Sequence, residues 1–211
     1  MCAQEAMNLP GRLVTVEGID RAGKSSVLKG LTSLLRDYCR VPIVLCGELC
    51  SPLAPIIHDM LQKGSSAFLK TFLFASDRAW TYEAECLPAL RRGELVLWDR
   101  YVDSAIAYRA TELSKSVSLI DLDFVREINR PFVKPDLVIC IDISVEVSIQ
   151  RARSVGSREP YDRAFLEMVR AEYQKLSSQG EYCIINGEQP IDDVRLAVAK
   201  AIQTRLKDLF L

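Results

Sequence analysis

The stretch VTVEGIDRAGKSSV, residues 14–27, decides how the rest of the chain is read. An apolar, β-branched segment runs into a loop bracketed by Gly18 and Gly23 and then into a run that suits a helix. The loop matches G-x-x-x-x-G-K-[ST] from Gly18 to Ser25, with a strand expected before it and a helix after it. Glycines let such a backbone curl until successive N–H groups face phosphate oxygens, and the helix N-terminus adds partial positive charge. Lys24 is expected to reach the β- and γ-phosphates of a nucleoside triphosphate, and the Ser25 hydroxyl to ligate Mg²⁺. The expected ATP-binding set is Gly18, Ile19, Asp20, Arg21, Ala22, Gly23, Lys24, Ser25 and Ser26. The motif fixes a ligand class and not a reaction, and it leaves two charged residues, Asp20 and Arg21, to be explained.

Outward from the loop, short apolar runs alternate with longer amphipathic ones. Strands are predicted at 13–17, 42–46, 95–99, 137–142 and 182–185, rich in Val, Ile and Leu with little polar alternation. That composition marks strands covered on both faces. Helices are predicted at 24–38, 54–62, 67–92 (kinked at Pro88), 103–111, 119–130, 145–153, 164–177 and 191–210. Strand–helix–strand repetition implies right-handed crossovers and an α/β fold with a five-stranded parallel sheet and helices on both faces. Ligands in such sheets lie at the carboxyl ends of the strands.

One of those ends reads LVLWDRYVDSAIAY, residues 95–108. Asp99 is placed to face the magnesium, directly or through water, unless it only caps a helix or lies on the surface. Arg100 follows at once, and a strand-end guanidinium beside a phosphate loop suits a second bound phosphate. A monophosphate acceptor is mostly dianionic at neutral pH, so it needs no general base. Its difficulty is charge: two like charges about 4 Å apart repel by roughly 4 kcal/mol at an effective dielectric constant of ~20. Lys24, Arg21, Arg100 and Mg²⁺ are the available cations, with Arg21 leaning over the triphosphate as an arginine finger in cis.

With 211 residues, 49% hydrophobic and 26% charged, the chain fits one domain over 1–211 with a sizeable core. A net charge of −1 gives no polyanion-binding surface, so nucleic acid is not expected as a partner. No apolar run reaches the roughly 18 residues that span a bilayer. The opening MCAQEAMNLPGR carries Glu5 and no apolar core segment, so no leader and a cytoplasmic location are expected. Seven scattered cysteines suit free thiols in a reducing compartment. Cys46 and Cys50 form a C-x3-C pair without a second pair at zinc-site spacing, and His58 is the only histidine.

With these residues in view, the sequence resembles the thymidylate kinases, P-loop nucleoside monophosphate kinases. Their EGIDRAGKS-type loop is matched by residues 17–25, and their DRYVDSSLAYQ-like segment by DRYVDSAIAYR, residues 99–109. Their LLFAADRA-like helix is matched by FLFASDRA, residues 72–79. KPDLVICIDISVEVSIQR, residues 134–151, resembles the family's strand before a lid, and FLEMVRAEYQKL, residues 165–176, the helix after it. The resemblance covers almost the whole chain. It implies transfer of the γ-phosphoryl group of MgATP to dTMP, giving dTDP and ADP. A kinase for dUMP, UMP or CMP, and a nucleotide-binding module without turnover, are the alternatives.

The resemblance also implies roles. Asp20 would hydrogen-bond the 3′-hydroxyl of dTMP. Phe74 would stack on the base, unless it is core, and Arg78 would reach the base edge. Arg100 would clamp the monophosphate. Ser104, Tyr101 and Tyr108 would lie near the nucleotide, although the tyrosines also suit packing. Residues 150–163 would form the lid, with Gly156 as a hinge and Arg151, Arg153, Arg158 and Arg163 as cations. Arg158 would reach the transferred group and so rivals Arg21 as the catalytic arginine; Arg151 would pack on the adenine. Asn186 to Gln189, with Gly187 and Glu188 at the centre, would form the adenine side. A homodimer through a helix face, with the helix at 67–92 as candidate, is implied as well. The loop LCGELCSPLAP, residues 45–55, departs from the family's REPGGT- or RFPERS-like pattern. The expected cation falls on Cys46 or Gly47, and only Glu48 is charged. The loss weakens acceptor binding by about ten- to a hundredfold, or Arg78 or Arg109 substitutes.

Overall fold

The computed structural model describes residues 9–115, 118–156, 161–178, 180 and 182–211. Its strands are β1 Arg12–Glu17, β2 Ile43–Gly47, β3 Leu95–Asp99, β4 Leu137–Asp142 and β5 Tyr182–Asn186. They form a five-stranded sheet in the order β2-β3-β1-β4-β5, with every ladder parallel. The helices are α1 Lys24–Arg36, α2 Ala54–Gln62, α3 Ala67–Thr81, α4 Leu87–Arg91, α5 Val102–Lys115, α6 Leu122–Asn129, α7 Val145–Ser154, α8 Arg163–Ser178 and α9 Ile191–Arg205.

Successive strand residues face opposite sides, so apolar runs feed two layers. Val14, Val16, Leu95 and Leu97 join Leu31 of α1 and Val198 of α9 in one core. Leu13, Val96 and Trp98 join Tyr82, Cys86 and Leu90 in another. β1 is central, and the chain leaves it first for the β3–β2 side and later for β4. The carboxyl ends of β1, β3 and β4 therefore surround one crevice, as doubly wound sheets require.

α5 runs four residues past its expected end and α6 starts three residues late, and two other helices differ from expectation in form. The segment 67–92 is not simply kinked at Pro88: a π-turn over Tyr82–Cys86 separates α3 from α4. Leu87 N–H bonds to the Tyr82 carbonyl, five residues back, and the widened turn makes room for a proline that has no N–H to give. The segment 191–210 ends as a helix at Arg205; a 3₁₀ turn follows over Lys207–Leu209, and Phe210 makes an antiparallel bridge to Cys39. Apolar spacing alone does not separate these forms, since Leu206, Leu209 and Phe210 are buried in either. Gly156, at φ 64, stands just past the end of α7 and donates to Arg153 O at 3.0 Å. Arg158, expected in the lid, lies outside the described residues.

Candidate active site

The loop between β1 and α1 can take its course only with glycine at two points. Gly18 has φ 137, and a Cβ there would come within 2.4 Å of the Ile141 carbonyl oxygen. Gly23, the residue before α1, has φ 97. Between them Arg21 also lies in the left-handed region, at φ 61. Lys24 is buried beneath the loop, where its Nζ donates to Gly18 O at 3.0 Å and Ile19 O at 2.8 Å. Burial, and then the nearby Arg100, push its pKa down to about 8. The ammonium still carries its charge at neutral pH.

β3 delivers the next residues. Asp99 is in register with Val16 and Gly47, so it ends between the phosphate loop and the β2 loop. Ser25 Oγ donates to Asp99 Oδ2 at 2.5 Å. Asp99 Oδ1 is buried and has no hydrogen-bond partner among the described residues. A hydroxyl beside a carboxylate with an orphaned oxygen suits Mg²⁺, which takes one or two protein oxygens and leaves the rest to phosphates and water. No group of three or more His, Cys, Asp or Glu that could hold a metal occurs among the described residues.

Arg100 turns the chain with φ 62, its N–H bonded to Val16 O at 3.1 Å. Its guanidinium pairs with Asp20, donates to Gly18 O at 3.3 Å and lies 5.3 Å from the centre of the Tyr108 ring. Glu17 holds this turn from behind. One carboxylate oxygen accepts from Tyr101 N at 2.8 Å, and the other from Ser104 Oγ at 2.5 Å, with Tyr173 OH at 3.4 Å. Burial raises the Glu17 pKa to about 8, and Asp103 adds to the rise.

Two cavities open on either side of this turn. One, about 760 Å³, is lined by the phosphate loop together with Arg100, Arg151, Gly187 and Gln189. The other, about 250 Å³, is lined by Glu48, Phe74, Ser104, Tyr108, Arg109 and Tyr161, among others. Asp20 and Arg100 line both. The structure thus brings Arg21, Lys24, Ser25 and Arg100 to one cleft and Asp20, Phe74, Arg100, Ser104 and Tyr108 to its neighbour.

The remaining expected residues are more varied. Arg151 Nη1 donates to Arg21 O at 3.1 Å and Ala22 O at 3.3 Å, while Nη2 donates to Gly187 O at 2.7 Å. It ties the phosphate loop to the turn after β5. A Cβ on Gly187 would meet Ile141 Cγ2 at 2.4 Å, so only glycine fits that close approach. Glu188 turns its carboxylate to the backbone N–H of Ser144 at 2.7 Å, at the start of α7, and Gln189 lines the cleft instead. Ser104 spends its hydroxyl on Glu17 and Tyr173, although the residue lines the smaller cavity. Arg78 is buried: it donates to Asn129 Oδ1 at 2.6 Å and Tyr101 O at 3.2 Å, while its Nε has no hydrogen-bond partner among the described residues, and Asn129 lines the smaller cavity. Asp77, beside it, holds the β2 loop by accepting from Leu49 N at 2.7 Å and Ser51 N at 3.2 Å.

Sequence alone gives Glu17 and Asp77 no role. A carboxylate ending an otherwise apolar strand was the only signal for Glu17; Asp77 had none, because its partners lie in a loop far back along the chain.

The sequence profile of the thymidylate kinase family matches residues 16–198. A probable thymidylate kinase of Pyrobaculum aerophilum is 32% identical over 195 residues, covering 90% of this chain and 95% of its own. The thymidylate kinase of Lacticaseibacillus casei is 30% identical, over 96% of this chain and all of its own. That of Desulfovibrio desulfuricans is also 30% identical, with 92% and 96% covered. Among the described residues no helix is long and apolar enough to cross a membrane.

Proposed function

Because this chain belongs to the thymidylate kinase family, we propose that it transfers the γ-phosphoryl group of ATP to dTMP, giving dTDP and ADP. The observation that carries this reading is the meeting of two cavities at one ion pair, Asp20 with Arg100. The larger cleft, built on the phosphate loop, takes ATP. The smaller takes the monophosphate, whose phosphate must reach the shared wall to attack in line.

Each cation has a place in that encounter. Lys24 sits beneath the loop at the β- and γ-phosphates. Arg21 lines the ATP cleft and Arg100 stands between donor and acceptor, so charge developing in transfer meets guanidinium on both sides. Ser25 and Asp99 are the residues that would hold Mg²⁺, which supplies charge neutralisation at the phosphates. Asp20 orients the acceptor through its ribose hydroxyl, and Phe74 lies against its base. Arg151 and Gly187 fix the far wall of the ATP cleft. Arg158 is the second candidate for a cation on the transferred group. A phosphate acceptor brings its own nucleophilic oxygen, so positioning and charge do the catalysis.

Two further features belong to this reading. Leu69, Phe72 and Trp80 are exposed on α3 at helical spacing, with the small Ser76 exposed between them, a largely apolar stripe suited to a homodimer. The six cysteines among the described residues are free thiols, which supports a cytoplasmic location.

The test is ADP release, coupled to a reporter reaction, with ATP, magnesium and a panel of monophosphates. Highest kcat/KM with dTMP is expected. Preference for CMP or UMP would overturn the acceptor assignment, and no ADP with any monophosphate would leave a binding module.

A further inference from the structure

The loop after β2 takes a course that its own sequence does not favour. Leu49 sits at φ 58, in the left-handed region, where a residue with a Cβ is rare. Residues 48–52 contain no glycine to take that conformation. Such a turn persists only where its surroundings fix it. What fixes it is a buried carboxylate on α3. Asp77 is 1% exposed; its Oδ2 accepts from Leu49 N at 2.7 Å and its Oδ1 from Ser51 N at 3.2 Å. Both oxygens of one carboxylate are thus spent on backbone N–H groups of a single turn, and hydrogen bonds to a carboxylate are the stronger kind. Glu48 N, bonded to Asp99 O at 3.0 Å, ties the start of the turn to β3.

Asp77 stands outside the lining of the smaller cavity, whereas Glu48 and Leu49 belong to it. They share that lining with Arg100, Ser104 and Tyr108. Residues 45–53 contain neither Lys nor Arg, so the loop offers an acceptor shape and not positive charge. That shape depends on where the turn holds Leu49. The post itself is anchored: Arg78, the next residue, donates from Nη2 to Tyr101 O at 3.2 Å, and Tyr101 follows Arg100. α3 is therefore tied to the turn after β3 as well as to the loop after β2. Among the described residues, none of 45–53 lines the ATP cleft.

We infer that Asp77 is a positioning residue for the acceptor: it holds the left-handed turn at Leu49 so that Leu49 and Glu48 wall the monophosphate cavity. It acts through the loop and not by contact with the acceptor. Loss of the carboxylate leaves two N–H groups without their acceptors and a strained turn without support, so the loop relaxes and the wall moves. The acceptor side then loses affinity, while the ATP cleft, to which the loop gives no lining, keeps its own. The inference deepens the dTMP reading and rests on it.

The experiment compares the wild type with Asp77→Ala and Asp77→Asn. It measures KM for dTMP and for ATP, and amide hydrogen exchange in the peptides spanning residues 45–53 and 14–27. Asp77→Ala is expected to raise KM for dTMP about ten- to a hundredfold, the loss typical of hydrogen bonds to a charged group, with KM for ATP within about twofold of wild type. Asp77→Asn keeps one acceptor oxygen and sets an amide N–H against the other donor, so a rise of about three- to tenfold is expected. In both variants the 45–53 peptide should exchange faster while the 14–27 peptide keeps its rate. Equal rises in KM for dTMP and ATP would mean a general loosening of the fold and would overturn the proposal while leaving the dTMP reading intact. Faster loop exchange with KM for dTMP unchanged would overturn it too. A wild type that does not use dTMP would overturn that reading first, and this proposal with it. If Asp77→Ala fails to fold, Asp77→Asn decides.

Discussion

Replacing Arg100 separates two things that this residue does at once. Its backbone sits at φ 62, a region that costs a residue with a Cβ about 1–2 kcal/mol. Its guanidinium pairs with Asp20 and lies over Tyr108, where the two cavities meet. Arg100→Ala removes the charge and keeps the strain; Arg100→Gly removes both. The side chains of the Arg100–Asp20 pair are 14% and 25% exposed, so the fold should lose only about 1–3 kcal/mol in the alanine variant. The glycine variant should recover about 1 kcal/mol of that. Turnover behaves differently. A guanidinium that balances charge in phosphoryl transfer is worth about 10³–10⁵ in rate, or about 4–7 kcal/mol of barrier. Both variants should therefore lose turnover equally, despite unequal stability. Urea unfolding and the coupled ADP assay measure the two quantities on the same preparations. Turnover within tenfold of wild type in either variant, or recovery of turnover in step with stability in the glycine variant, would refute the role given to the side chain.

The remaining predictions concern pH and close contacts. Burial lifts Glu17 from an ordinary 4.5 to about 8, so the folded chain holds a proton that the unfolded chain releases across that window. Stability should therefore decline as pH rises from about 5 to 8, and Glu17→Gln should flatten the decline in urea midpoints; an equally steep variant would contradict the assignment. Lys24 loses its proton as pH passes about 8 in the free protein. ATP affinity by calorimetry should then weaken by about tenfold per pH unit beyond that point, and affinity independent of pH from 7 to 9.5 would argue against a phosphate-facing ammonium. Gly187→Ala sets a Cβ against Ile141 Cγ2 at 2.4 Å and Ile143 Cγ2 at 2.9 Å, on a backbone pinned by Gly187 N to Asp142 O at 2.8 Å. It should cost about 1–3 kcal/mol in stability and raise KM for ATP more than for dTMP; a neutral melt would mean that the turn yields freely.

The sheet was legible because its signal is local. Strands covered on both faces read as apolar runs, and no observed strand end departs from its expected position by more than one residue. The phosphate loop was legible for a similar reason, since two left-handed glycines and a lysine sit within eight residues, Gly18 to Ser25. What escaped sequence reading depends on partners distant along the chain. Arg78 donates from Nη1 to Asn129, 51 residues on, and nothing near either residue announces the pair. Ser104 looks toward a nucleotide in the sequence, but its hydroxyl answers to Glu17, 87 residues earlier. Glu188 caps a neighbouring helix start rather than facing the cleft. The π-turn before Pro88 was hidden because a proline marks where a helix is disturbed and not how the turn relaxes.

The Asp20–Arg100 pair forms a wall common to both nucleotide clefts, and that has a consequence for how the substrates sense each other. An anion arriving on either side competes with Asp20 for the same guanidinium, so occupancy of one cleft resets the field in the other. Thermodynamic reciprocity then makes the influence mutual: whatever factor ATP imposes on acceptor affinity, the acceptor imposes on ATP. A molecule that fills both clefts with one covalent linker would meet that guanidinium once rather than twice.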